Sequence, residues 1–201
     1  MNRSIKKVAV LGSGIMGSRI ACHFANIGVE VLLLDIVPRE LNAAEQAKGL
    51  TLEHPAVRNR IVNEAFQNTL KSTPASLYSP KFASRVKLGN FDDNLAEIKN
   101  YDWVLEAIVE RLDIKRSLFE KVDALRKPGT LVTSNTSGIP IHLMSEGRSD
   151  DFQQHFCGTH FFNPPRYLRL FEVIPGPKTG PQILDFLLHY GDLYLGKTTV
   201  L

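Results

Sequence analysis

A histidine and a glutamate twelve positions apart, His160 and Glu172, are the side chains of this chain best suited to proton transfer. Imidazole exchanges a proton near neutral pH, and a carboxylate bonded to one ring nitrogen fixes its tautomer and leaves the other nitrogen as a base. Glu172 lies in an apolar run, where an unpaired carboxylate is unfavourable. Two adjacent strands joined by a turn would bring it to face His160. The alternative is a structural histidine beside a glutamate on an edge strand.

Three glycines, Gly12, Gly14 and Gly17, form the second chemical motif. They separate the apolar segment 7–11, which is typical of a buried strand, from residues with helical periodicity. In such a unit the first glycine allows a tight turn, the second lets the backbone approach a pyrophosphate, and the third lets helix and strand pack closely. The helix N-terminus then offers N–H groups and a partial positive charge to the phosphates. A glycine-rich turn that holds no ligand is the alternative.

Asp35 completes this motif at the end of a second apolar run, residues 29–34, eighteen positions after Gly17. A carboxylate at that point can accept hydrogen bonds from both ribose hydroxyls of an adenosine, and it would repel a 2′-phosphate. The combined motif therefore predicts a bound dinucleotide and favours NAD over NADP.

Strands alternate with helices through much of the chain, which is typical of a parallel α/β sheet. The polar, helical stretch 38–84 is longer than a crossover helix requires, so we expect an insertion after the second strand. These patterns predict one NAD-binding domain over residues 1–201, with a Rossmann-type α/β fold: a mainly parallel sheet with helices on both faces. Further strands are predicted at 85–89, 102–107, 130–134, 156–162, 168–174 and 197–201, and helical segments at 16–27, 118–125 and 181–194.

The predicted sheet also gathers polar segments at one edge. Ligands of open α/β sheets bind outside the carboxyl ends of the strands. Residues 107–110 and 134–137 follow two of the predicted strands, so we expect them on the same rim as the glycine turn.

Composition and charge exclude several classes of protein. A net charge of +3 is too small to indicate nucleic-acid binding. The basic residues between 48 and 87 are expected to form a solvated helical face, of which a minority could meet a nucleotide phosphate. No apolar stretch is long enough to span a bilayer, and the N-terminus has no signal-peptide core. Cys22 and Cys157 form no metal or disulfide pattern and are expected to be buried, which predicts a reducing cytoplasm.

Four motifs follow one another at characteristic spacing. They are Gly12-Ser13-Gly14-Ile15-Met16-Gly17, Glu106-Ala107-Ile108-Val109-Glu110, Ser134-Asn135-Thr136-Ser137, and residues 158–164 followed by Glu172. Together they resemble the NAD-binding domain of L-3-hydroxyacyl-CoA dehydrogenases, from about residue 5 to the C-terminus. The insertion and the segments 137–140 and 146–151 are most similar to bacterial bifunctional proteins, in which this domain precedes a helical domain and an enoyl-CoA hydratase-like region.

The resemblance implies a role for each matching residue. His160 would take the proton from a 3-hydroxyl group while hydride passes from C3 to NAD, and Glu172 would orient His160. Ser137 would hydrogen-bond the substrate oxygen, a role compatible with that of a helix N-cap. For Lys115 a solvated helical lysine is the alternative to an NAD contact. The implied cofactor-binding positions are Gly12, Gly14, Ile15, Met16, Gly17, Asp35, Ala107, Glu110, Lys115, Ser137 and Asn163.

The implied substrate is an acyl-CoA thioester of fatty-acid β-oxidation, and the insertion 38–84 matches the helical hairpin that helps to hold CoA. The family's catalytic asparagine is expected shortly beyond residue 201. A helical domain that closes the acyl-CoA cleft, and commonly forms the contact of a homodimer, is expected there too. Because hydride transfer depends on a positioned, water-excluding site, we expect this chain to be an incomplete piece that binds NAD and oxidises its substrate slowly.

Two other functions remain open on the same fold. One is an NAD-linked dehydrogenase of a small 3-hydroxy acid, which would not depend on CoA. The other is a non-catalytic NAD-binding or interaction module, because fold alone does not determine function. Replacing His160 distinguishes the enzymes from the module.

Overall fold

A single eight-stranded sheet forms the centre of the protein. In the computed structural model, which describes residues 3–201, the strand order is β3-β2-β1-β4-β5-β6-β7-β8. The strands are β1 (Lys7–Leu11), β2 (Glu30–Asp35), β3 (Val86–Asn90), β4 (Trp103–Glu106), β5 (Leu131–Ser134), β6 (Phe156–Phe161), β7 (Leu170–Pro175) and β8 (Thr198–Val200). Neighbouring strands are parallel except β6 and β7, which are antiparallel. The prediction of a mainly parallel, Rossmann-type sheet is confirmed.

Helices cover both faces of the sheet, as predicted. They are α1 (Ile15–Asn26), α2 (Ala43–Ala47), α3 (Pro55–Arg58), α4 (Arg60–Leu70), α5 (Phe91–Asn94), α6 (Leu112–Leu125), α7 (Ile141–Ser145), α8 (Asp150–Gln154) and α9 (Pro181–Leu193). Residues 80–85 and 95–100 form 3₁₀-helices. One hydrophobic core lies between the sheet and α1, α4 and α9, and a second lies between the sheet and α6, α7 and α8.

Strand β1 shows why two cores form. Successive side chains of a strand point to opposite faces of its sheet. Val8 and Val10 accordingly belong to the first core, whereas Ala9 and Leu11 belong to the second. A central strand covered on both faces must be apolar at every position, which explains the continuous apolar runs in the sequence.

The register of the parallel strands gathers their carboxyl ends at one edge. Leu11 pairs with Leu34 on one side and with Glu106 on the other. Glu106 pairs in turn with Ser134, and Ser134 pairs with Gly158. The segments that follow β1, β2, β4 and β5 therefore emerge on the same rim, as the sequence predicted.

Several elements differ from the predictions in extent. The chain between β2 and β3 is less helical than expected, because it holds only the short α2 and α3, the longer α4 and a 3₁₀ turn. The predicted breaks are found: α3 begins at Pro55, with His54 as its cap, and α4 ends at Leu70. Helices α5, α7 and α8 were not predicted, since four or five residues are too short to show helical periodicity. Strand β7 begins two residues later than predicted.

Two further observations concern the described residues. None of the helices within residues 3–201 is both long and apolar enough to cross a membrane. Cys22 and Cys157 are buried, reduced side chains, as expected. Burial raises the pKa of the Cys22 thiol to about 12 and that of the Cys157 thiol still further.

The turn between β1 and α1 contains the tightest backbone packing of the sheet's carboxyl edge. Gly12 has φ of +105°, and a Cβ atom there would lie 2.6 Å from the carbonyl oxygen of Ala107. A Cβ atom on Gly17 would lie 1.8 Å from the carbonyl oxygen of Gly12. A Cβ atom on Gly14 would meet nothing within 4 Å. Gly12 and Gly17 are therefore required by the fold itself, whereas Gly14 is not.

We predict that Gly17→Ala destabilises the chain by about 3 kcal/mol, because backbone must move to make room. For a chain of this length the melting temperature should fall by about 6–12 °C. Gly14→Ala is the matched control and should change the free energy of unfolding by no more than about 1 kcal/mol, the range for a helix N-cap. Thermal unfolding followed by circular dichroism measures both. Equal melting temperatures for the two variants would contradict the packing described.

Candidate active site

The structure brings His160 and Glu172 together across β6 and β7. The two residues are directly opposite one another in the antiparallel register. Nδ1 of His160 lies 2.8 Å from Oε2 of Glu172. The His160 side chain is 19% exposed and that of Glu172 39%, so a ligand can reach the pair from the rim. Strand β8 pairs with the far side of β7, and Glu172 is therefore not on an edge strand.

Neighbouring contacts hold the imidazole ring in place. The backbone N–H of Phe161 donates to Oδ1 of Asn135, which follows β5, at 2.8 Å. The His160 ring lies 4.4 Å from the ring of Phe162 between centroids. With Nδ1 donating to the carboxylate, Nε2 is the nitrogen left to accept a proton.

Asp35 lies beside the glycine turn at the end of β2, as the sequence predicted. Its Oδ2 accepts hydrogen bonds from the backbone N–H and the hydroxyl of Ser13, both at 2.6 Å, and its Oδ1 accepts from the N–H of Ile36 at 2.7 Å. A groove of about 350 Å³ opens next to it. Ile36, Ile108 and other apolar side chains line this groove. The carboxylate and the groove together suit a ribose with an attached aromatic base.

Helix α1 is linked to the loop that follows β6. Arg19, in the second turn of α1, donates from Nη1 to Oδ1 of the exposed Asn163 at 2.6 Å. Ile15, at the first position of α1, leaves 68% of its surface exposed beside the turn, whereas Met16 packs against the core. Because Asn163 lies three residues beyond His160, this hydrogen bond links the helix that follows the glycine turn to the loop that follows the histidine strand.

A buried ionic cluster lies between β4, α6 and the loop after β5. Nζ of Lys115 donates to both carboxylate oxygens of Glu106, at 2.7 and 2.9 Å, and lies 3.1 Å from Oε2 of Glu110. The side chain of Lys115 is 1% exposed. The alternative of a solvated helical lysine is therefore wrong, because the amine is enclosed and fully engaged with carboxylates. For the same reason the Lys115 amine has no donor left for the direct NAD contact that the resemblance implied.

Ser137 lies on the exposed loop after β5. Glu110 holds this loop: its Oε1 accepts from the hydroxyl of Thr136 and, at 3.2 Å, from the N–H groups of Ser137 and Gly138. The helix N-cap interpretation of Ser137 is wrong, because α7 begins only at Ile141 and Pro140 precedes it.

The environment of each carboxylate in the cluster shifts its pKa. Burial raises the pKa of Glu106, against the opposing effect of Lys115 and the hydroxyl of Ser134. For Glu110, partial burial also opposes ionisation, but hydrogen bonds from Thr136 and Lys115 outweigh it and lower the pKa to about 2. Glu110 is therefore ionised throughout the physiological range.

The basic residues of the insertion are more engaged than the sequence suggested. Arg58 pairs with Asp93 and Glu53, and Arg60 pairs with Glu45. Ion pairs within the described residues thus account for two cations that we had expected on a solvated face.

Several residues of this rim were missed as functional candidates. Glu106 carries the same signal as Glu172, a carboxylate inside an apolar strand, but its partner lies nine residues away on another element. Thr136, Asn135 and Arg19 carry no local signal, because their partners are distant in sequence. Ser13 was visible only as a variable position within the glycine motif.

Comparisons with known proteins agree on one family. The family described as 3-hydroxyacyl-CoA dehydrogenase, NAD binding domain, matches residues 7–201. A probable 3-hydroxyacyl-CoA dehydrogenase of Bacillus subtilis is 52% identical over 200 residues, which are 100% of this chain and 25% of that protein. A second protein of the same description, from Deinococcus radiodurans, is 45% identical over 98% of this chain and 53% of its own length. The chain thus spans between a quarter and about half of these relatives.

Solved structures give the same result. The crystal structure of 3-hydroxybutyryl-CoA dehydrogenase from Escherichia coli superposes with a TM-score of 0.70 at 28% identity. The superposition covers 98% of this chain and 38% of that one.

The low pKa of Glu110 generates a prediction about acid stability. Its pKa in the folded chain, about 2, lies below the ordinary value of 4.5. The ionised form is thus preferred in the folded state, so its contribution to stability is present above about pH 4.5 and is lost as the pH falls towards 2. The unchanged chain should lose stability relative to Glu110→Gln across that interval, as urea unfolding at several pH values would show.

Thr136→Val tests whether the hydrogen bond from Thr136 causes the low pKa of Glu110. Removing the hydroxyl should raise the Glu110 pKa towards its ordinary value, measured by carboxyl NMR titration. A Glu110 midpoint near 4.5 in the unchanged chain would contradict the hydrogen bonding described.

Proposed function

Because this chain belongs to the family of 3-hydroxyacyl-CoA dehydrogenase NAD-binding domains, we propose that it binds NAD and supplies the catalytic base for the NAD-dependent oxidation of L-3-hydroxyacyl-CoA to 3-oxoacyl-CoA in fatty-acid β-oxidation. The observation that carries the proposal is the hydrogen bond between His160 and Glu172 at the carboxyl edge of the sheet. The buried, reduced cysteines fit a reducing compartment, so the cytoplasm is part of this proposal.

The residues of the rim fit the cofactor. Open space at Gly14, where a Cβ atom would meet no protein atom, lets a pyrophosphate approach the backbone and the N-terminus of α1. Asp35 would accept the hydroxyls of the adenosine ribose, and its charge would repel a 2′-phosphate. The apolar groove beside it would take the base. Ile15 and Met16 would contribute to the turn that faces the phosphates, and Ala107 would close it from the end of β4.

Proton transfer is the task of His160. Glu172 holds the Nδ1–H of the ring, so Nε2 would take the proton from the 3-hydroxyl of the substrate. The imidazolium that results is stabilised by the carboxylate 2.8 Å away. NAD, when bound, supplies the acceptor for the hydride that leaves C3. The substrate thus loses one proton to His160 and one hydride to NAD, and its 3-hydroxyl becomes the 3-oxo group.

Other residues would orient the reactants. Ser137 would donate its hydroxyl to the substrate oxygen and Asn163 would contact the nicotinamide side of the cofactor. Both lie on exposed loops at the same rim as His160. The segment 38–84, with its short helices, would help to hold the CoA moiety. Orientation of this kind accounts for a large part of enzymatic rate enhancement.

We predict that His160→Ala lowers the turnover number for L-3-hydroxybutyryl-CoA by about 10²–10⁴-fold, the usual contribution of a general base. Glu172→Gln should lower it by a similar factor, because the wrong tautomer is then favoured. Formation of NADH, followed by absorbance and compared with the unchanged chain, measures both. Binding of NADH, followed by fluorescence, should change by less than about twofold, as neither side chain faces the adenosine half.

The outcomes separate three functions. Unchanged turnover in His160→Ala would remove the catalytic claim and leave an NAD-binding module. Equal rates with free 3-hydroxybutyrate and with its CoA thioester would favour a dehydrogenase of small 3-hydroxy acids.

Cofactor preference gives a second prediction. Asp35→Asn should weaken NADH binding by about tenfold or more, because a charged hydrogen-bond acceptor is lost. The ratio of the affinities for NADH and NADPH should fall, because the negative charge that repels the 2′-phosphate is lost. Asp192→Asn, which alters an exposed carboxylate at the end of α9, is the control and should leave both affinities unchanged. An Asp35→Asn variant with unaltered preference would contradict the assignment of the ribose site.

A further inference from the structure

Glu106 is the most deeply enclosed charge-bearing side chain of the rim. It ends β4 in the middle of the sheet, between β1 and β5, and its side chain is fully buried. Three donor groups make four hydrogen bonds to its two oxygens. Lys115 Nζ reaches both oxygens, the Ser134 hydroxyl lies at 2.5 Å, and the Ile108 N–H lies at 2.7 Å. No part of this carboxylate is left to meet a ligand.

Lys115 connects Glu106 to Glu110. It projects from the first turn of α6, and its three N–H groups are directed at Glu106 and Glu110. Glu110 differs from the other two because its side chain is 41% exposed at the rim. The lysine therefore acts as a rigid spacer between a buried carboxylate and an accessible one.

Glu110 in turn sets the loop that carries Ser137. Its Oε1 atom accepts hydrogen bonds from the Thr136 hydroxyl and from the backbone N–H groups of Ser137 and Gly138. Glu106 also holds the start of the same loop through Ser134. The loop is thus attached to Glu106 at both ends, directly at one end and through two side chains at the other.

We propose that Glu106 is a positioning residue, which acts through Lys115 and Glu110 to fix Ser137 relative to His160. The inference rests on the proposed function, since it assigns Ser137 the task of holding the substrate oxygen. Stability alone gives a poor reason for this ion pair, because buried pairs are often replaced by apolar side chains without loss of stability. Fixing the part of the loop beyond Asn135, where Glu110 accepts from Thr136, Ser137 and Gly138, is a reason that the contacts support.

The decisive variant removes both charges, Glu106→Gln with Lys115→Met, so that no uncompensated charge stays buried. The control, Arg126→Met with Asp151→Asn, removes an ion pair at the opposite end of α6 that is far from the rim. The single Glu106→Gln variant serves as a third chain and should be the least stable of these, because it leaves Lys115 short of a partner.

The first measurement needs neither cofactor nor substrate. Amide hydrogen exchange of Ser137 and Gly138 should accelerate by about tenfold or more in the double variant, since each amide loses an ordered acceptor. The control pair should leave these two rates unchanged. Unaltered exchange at both amides in the double variant would overturn the proposal, whatever the enzymatic activity.

The second measurement uses turnover of L-3-hydroxybutyryl-CoA. The double variant should lose about 10–100-fold in kcat while its melting temperature stays within a few degrees of that of the unchanged chain. Adding Ser137→Ala to it should cause little further loss, because both changes remove one function. If Ser137→Ala lowers kcat in the double variant as much as it does in the unchanged chain, the two changes act independently and positioning is overturned. A double variant that fails to fold while the control folds would show a role in stability and would overturn positioning as well. A chain with no turnover at all would count against the proposed function, and the exchange result would still decide the inference.

Discussion

The contact between backbone atoms at the first βα turn constrains everything else at this rim. The space that a side chain on Gly17 would need is filled by the carbonyl of Gly12, and the space at Gly12 is filled by the end of β4 at Ala107. Helix α1 is therefore pressed against the centre of the sheet, and its N-terminus must face the carboxyl edge. The same placement brings Arg19 to Asn163. One steric contact thus sets both the anion-binding turn and its distance from the histidine strand.

Two carboxylates in apolar strands show how the partner decides the role. Glu106 pairs with the amine of Lys115, which is enclosed with it between β4 and α6. Glu172 pairs with the imidazole of His160, a side chain of the type used most often for general acid–base catalysis. Burial is complete for the first pair and partial for the second. Both carboxylates have the partner that a buried charge requires, and we assign positioning to the first pair and proton transfer to the second.

The sequence predicted the parts of this site that depend on local patterns. The glycine turn, Asp35 and the strand that carries His160 each follow from residues within a short segment, where periodicity and spacing are informative. The pairing of His160 with Glu172 was within reach because a single turn separates their strands. Three other contacts could not be predicted, because each depends on strand order and register that no local pattern encodes. They join Lys115 to Glu106, Arg19 to Asn163, and Glu110 to the Ser137 loop. The short helices α7 and α8 were missed for a different reason, since five residues are too few to show helical periodicity.

The site divides into a rigid part and a part that is held electrostatically. His160 and Glu172 stand on strands that are hydrogen-bonded on both sides, so the sheet itself sets their pairing. Ser137 and Asn163 stand on loops, where Glu110 accepts from the Ser137 backbone and Arg19 donates to the Asn163 side chain. These loops are held through side-chain hydrogen bonds, whereas the strands are held by the backbone pairing of the sheet. The position of Ser137 relative to His160 therefore depends on charged side chains and not on the sheet alone, which is why a buried ionic cluster beside this loop matters for the site.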